Sequence, residues 1–109
     1  MKKYEVIVSP EAQAAILTAF RYIHERAPQN AERWLRNLYS CIGTLESFPG
    51  RCASARERKY FEEELRQLVF KSHRIIFHLD KKNRTVRVVY LVHVTQRTIG
   101  EPAQSIGDE

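Results

Sequence analysis

The chain has 109 residues, 43% hydrophobic and 28% charged, enough for one domain with a single core and ordinary for a water-soluble globular protein. No stretch approaches the roughly 20 apolar residues of a membrane span, and the N-terminus runs straight into a strand pattern, so a cytoplasmic protein without a leader is expected. The net charge of +5 is uneven: residues 51–97 hold twelve Lys and Arg against five acids, whereas residues 98–109 hold three acids and no base, which favours a polyanion or acidic protein partner for the basic part.

Tyr4, Val6 and Val8 alternate with Glu5 and Ile7 and predict a short first strand. Ser9-Pro10-Glu11 stops it and starts a helix: Ser9 suits the cap, Pro10 the first helical position, and Glu11 the positive helix end. Ala12, Ile16, Phe20, Ile23 and Ala27 fall on one stripe, widened by Leu17, and Pro28 closes the helix. A second helix is predicted over about residues 29–48, with Asn30 as cap and Ala31, Trp34, Leu35, Leu38, Ile42 and Leu45 as its apolar stripe. The short break between the two implies an antiparallel helical hairpin. Residues 51–63 show no clean period and read as a loop with one turn of helix. Three strands follow over 64–70, 73–79 and 85–93, joined by a tight turn at Lys71-Ser72 and a charged loop over 80–84. Residues 1–97 thus form one domain, and 98–109 read as a flexible acidic tail.

The order β-α-α-β-β-β predicts an α+β fold, a helical hairpin packed on one face of a small, mainly antiparallel sheet. No element is left for the other face, which is expected to be exposed or held for a partner. Arg66, Arg74 and His93 each sit in a strand, with Arg97 just beyond, and strands lying side by side could gather these cations around an anion. For Arg74 the competing reading is an ion pair with Glu62, Glu63 or Glu64, because a guanidinium in a strand is costly unless paired or solvated. His93 suits a general base or an anion contact, and equally a hydrogen-bonded structural role. His24, His73 and His78 make weaker cases, while Trp34 and Tyr90 fall on apolar patterns that predict core. Cys41 and Cys52 lack metal or disulfide-framework spacing, the histidines are not clustered, and no phosphate-cradling glycine loop is present, so no metal or cofactor is expected.

Read together, several stretches resemble the toxins of the RelE/ParE superfamily of bacterial type II toxin–antitoxin modules. They are Val8-Ser9-Pro10-Glu11-Ala12, Tyr22-Ile23, Ala31 with Trp34, Leu45 with Phe48-Pro49-Gly50-Arg51, Glu64-Leu65-Arg66, His73-Arg74-Ile75-Ile76-Phe77, and Val92-His93 followed by Arg97. The resemblance implies a growth-arresting toxin neutralised by a cognate antitoxin with an acidic or amphipathic segment. It leaves two mechanisms open. RelE-like members cleave mRNA on the ribosome without a metal, and here Arg74, His93 and Arg66 would be the catalytic set. ParE-like members poison DNA gyrase, and Arg66, Arg74, His93 and Arg97 would then grip target or antitoxin. The sequence has no tyrosine after Arg97, and it has Glu62, Glu63 and Glu64 rather than a lysine cluster, which places it nearer the ParE-like branch. A non-toxic remnant that still binds antitoxin is the third reading.

Overall fold

The computed structural model describes residues 3–95, so Arg97 and the tail 98–109 lie outside the described residues. Strand β1 (Glu5–Val8) leads into helix α1 (Pro10–Arg26), which begins as the sequence predicts: Ser9 Oγ accepts the Ala12 N–H at 3.1 Å and Pro10 occupies the first turn. Ala27 ends α1 by donating its N–H to the Ile23 carbonyl, and it also caps helix α2 (Pro28–Gly43). Pro28 is thus the first residue of α2, and Asn30 lies within its first turn instead of capping it. The α-helix stops at Gly43, before the predicted 48. The chain tightens into a 3-10 turn over Thr44–Glu46, and Arg51 Nη1 reaches back to the Ser47 and Phe48 carbonyls at 2.6 and 3.1 Å.

The sheet has the order β1-β5-β4-β3-β2, with β2 (Ala53–Ser54), β3 (Leu65–Phe70), β4 (His73–Asp80) and β5 (Thr85–His93). All neighbours are antiparallel except β1, which lies parallel to β5. The hairpin α1–α2 covers one face. There Ala12, Ile16, Trp34, Leu38, Ile42 and Leu45 meet Ile75, Phe77, Leu79, Val86, Val88 and Leu91 in the main core. Leu17, counted in the apolar stripe, is instead 47% exposed.

Two features depart from the sequence reading, and both decide where side chains point. The first is a β-bulge in β5. Ile76 faces Tyr90 and Phe77 faces Val88, so Val89 is an extra residue with no cross-strand partner. Two consecutive residues therefore lie on the far side of the sheet: Val89 and Tyr90 pack with Val92 there, whereas Val88 and Leu91 belong to the main core. The second is the segment before β3. The one turn of helix expected there is a 3-10 turn (Arg56–Tyr60), but instead of leaving the far face uncovered it lies under the face opposite the helices, where Ala55 and Phe61 pack with Leu65, Ile76 and Val92. The far face is therefore not open, as expected, but strapped. Ala55 N–H donates to the Leu65 carbonyl at 2.9 Å and fastens the strap at its start.

Candidate functional site

At one end of the sheet, α1 and the β3–β4 turn leave an apolar groove of about 650 Å³. Ala15, Ala19 and Ile23 of α1 form one wall, Trp34 and Leu91 the floor, and Lys71 the rim; His73 and His93 stand inside it. The two histidines are directly opposed in the β4–β5 register, their rings 5.3 Å apart and edge to face. His73 also meets the Trp34 ring at 5.6 Å. Burial, and then the neighbouring His93, hold the His73 imidazole below its ordinary pKa of 6.5. Thr95 holds the His93 ring in place, its Oγ1 lying 2.8 Å and its backbone N–H 3.2 Å from Nδ1. Near neutral pH such a groove suits the apolar face of an amphipathic segment, with Lys71 available to an acid at its edge.

The cations singled out in the sequence do not converge. Arg74 faces the strap, 4% exposed, and its Nη1 and Nη2 grip the two carboxylate oxygens of the fully buried Glu57 at 3.0 and 2.8 Å. Nη1 also donates to Gln67 at 2.9 Å. The expected acid partners, Glu62, Glu63 and Glu64, are not the ones used. Arg66 pairs with Phe77 and so faces the helix side, opposite to Arg74, which pairs with Val69. A diagonal contact between the two arginines is thereby excluded. Arg66 reaches Glu64 Oε2 at 2.8 Å from Nε and Nη2, and donates from Nη1 to the Cys52 carbonyl, pinning the start of β2 to β3. His93 lies on the helix side with His73. Arg66, Arg74 and His93 are therefore not gathered around one anion, contrary to the expectation from the sequence; Arg97 lies outside the described residues.

Sequence reasoning placed Trp34 in the core, where it lies, but ranked His73 below His93 and missed that the three rings meet edge to face in a row along the groove. The signal that finds it is the register across the Lys71-Ser72 turn, not any residue spacing. Burial pushes both Cys41 and Cys52 thiols up, so they stay protonated and unreactive at neutral pH. No group of three or more His, Cys, Asp or Glu suited to a metal occurs among the described residues.

Known proteins give a consistent frame for this geometry. A solved chain of the chromosomal ParDE toxin–antitoxin system of Pseudomonas aeruginosa superposes with a TM-score of 0.68 at 10% identity, covering 83% of this chain and 95% of that one. A chain of the RelBE2 toxin–antitoxin complex of Mycobacterium tuberculosis gives 0.57 at 17% identity, covering 85% and 93%. These likenesses establish a shared fold. No curated protein matches in sequence. The family model for the ParE toxin of the type II toxin–antitoxin system, parDE, matches residues 6–97, and the chain belongs to that toxin family.

Proposed function

We propose that the protein is a ParE-like toxin that arrests growth by inhibiting DNA gyrase, and that its apolar groove receives the amphipathic segment of a cognate antitoxin. The observation that supports a gyrase poison over an mRNA endonuclease is the state of Arg74. Attack of a ribose 2′-hydroxyl on its phosphate needs a proton acceptor and a cation at one phosphorus centre. Arg74 is sealed beneath the strap on Glu57 and Gln67, while His93 lies on the opposite face of the sheet. Arg74, Arg66 and His93 therefore do not surround one phosphate. No helix among the described residues is long and apolar enough to cross a membrane, and a gyrase target places the toxin's action in the cytoplasm.

The test is induction of the protein with plasmid supercoiling and mRNA 5′ ends followed together. DNA breaks or lost supercoiling with intact mRNA are expected. Prompt ribosome-dependent mRNA cuts would assign it to the endonuclease branch, and unimpeded growth would make it a non-toxic antitoxin binder. For the groove, Ala19→Arg should weaken antitoxin binding by about 100-fold, the scale of filling an apolar contact centre with charge, with the melting temperature followed alongside because Ala19 also packs on the main core.

A further inference from the structure

A second, smaller cleft of about 110 Å³ opens on the strapped face, away from the groove. Phe61 and Glu63 come from the end of the strap, Leu65 from β3, His78 from β4, and Arg87 and Tyr90 from β5. Its construction follows from register. Leu65 opposes His78 and His78 opposes Arg87, so one row across three strands presents an apolar floor, an imidazole and a guanidinium. The bulge at Val89 then brings the half-buried Tyr90 to the same side, where half-buried Phe61 also packs. Arg66, Arg74 and Arg51 are all held by hydrogen bonds within the fold, whereas Arg87 is exposed and has no hydrogen-bond or ion-pair partner among the described residues. The acids on this face include Glu63, Glu5 on the neighbouring β1 beside Thr85, and, two residues beyond His78, Asp80, whose carboxylate is occupied by the Asn83 N–H and side-chain amide at 3.0 and 2.8 Å.

We infer that this cleft, which has room for a phosphate but not for a whole nucleotide, seats the phosphate of one nucleotide unit on Arg87 and His78, while the base lies across its open rim against the rings of Tyr90 and Phe61 with an amino group on Glu63. Each element of the arrangement answers one part of a nucleotide. A guanidinium fork and an imidazole suit phosphate, aromatic faces stack on any base, and a carboxylate accepts from an exocyclic amine. No glycine loop is involved, and the inference stands apart from the choice between gyrase and ribosome, because none of these residues belongs to the groove or to the Arg74 lock. The same chemistry is supplied by a free nucleoside monophosphate or by one residue of a single strand.

The experiment titrates the full chain with AMP, GMP, CMP, UMP, inorganic phosphate and a single-stranded pentanucleotide, by calorimetry at low salt. Saturable binding of a nucleoside monophosphate is expected, weakened about tenfold or more by Arg87→Gln and by Tyr90→Leu, and unchanged by Arg33→Gln on the exposed face of α2. Thermal melting of Arg87→Gln, an exposed substitution, checks that the fold is intact. A pentanucleotide that binds at least tenfold more tightly through the same residues assigns the unit to a nucleic-acid strand, and equal affinity assigns it to the free nucleotide. The inference is overturned if neither nucleotide form binds saturably, if inorganic phosphate binds as well as the nucleotides, or if Arg87→Gln and Arg33→Gln act alike.

Discussion

Arg74 and Glu57 illustrate how a residue suited to catalysis becomes a fastener. With side chains 4% and 0% exposed, neither charge has access to bulk water, and each depends on the other for compensation. Glu57→Ala should therefore cost roughly 3–5 kcal/mol, the usual effect of stranding one partner of a buried pair, whereas the double variant Glu57→Leu with Arg74→Met should recover most of it. Urea denaturation of the three proteins measures this, and a silent Glu57→Ala would show that the strap is not held by the pair. The sequence offered an ion pair as one of two readings of Arg74, the other being an anion-binding fork. It could not supply Glu57, because the 51–63 segment has no period from which the direction of any side chain follows. His73 leads to a second prediction. Its folded pKa lies below the unfolded value of 6.5, so the unfolded chain binds the proton more readily. The stability associated with a neutral His73 is complete above that value and is lost as pH falls through 6.5 and below. His73→Phe should flatten the pH dependence of the melting temperature in that window; an unchanged slope would assign it to other groups.

Among the elements, the helices were legible because their signals are local: a Ser-Pro-Glu start and a 3.6-residue apolar stripe require nothing from the rest of the chain. The three long strands were legible for the same reason. Strand β5 shows where local reading fails. Strict alternation from Val86 and Val88 would send Tyr90 and Val92 to the core and Leu91 and His93 outward, but the extra residue at Val89 reverses all four. Nothing in Val88-Val89-Tyr90-Leu91 announces a bulge, since its position is set by pairing with β4. The faces of His93 and Tyr90, and so the contents of both groove and cleft, were hidden by this one residue. Deleting Val89 should restore regular pairing while keeping every later side chain on its present face, at a cost of about 1–2 kcal/mol; deleting Leu91 should flip His93, remove a core residue and cost more than about 4 kcal/mol. Comparative thermal melting decides it. Equal losses would mean that the bulge is not the seat of the reversal.

Over the whole molecule, composition and element order carried the architecture, a helical hairpin on a mainly antiparallel sheet. The parallel pairing of β1 with β5 closes that architecture and is its least local contact: Glu5 lies beside Thr85, and Ser9, which caps α1, donates its N–H to the Val88 carbonyl at 2.9 Å. Contacts this distant in sequence are the slowest to form, because the intervening chain must be ordered first. The placement of α1, and with it one wall of the groove, therefore rests on a strand from the other end of the domain. During synthesis at roughly 5–20 residues per second, β1 waits on the order of 4–16 s for its partner to be made. The topology acts as a timer: a chain still being translated lacks this groove, and the surface proposed to receive an antitoxin comes into being only when β5 is in place.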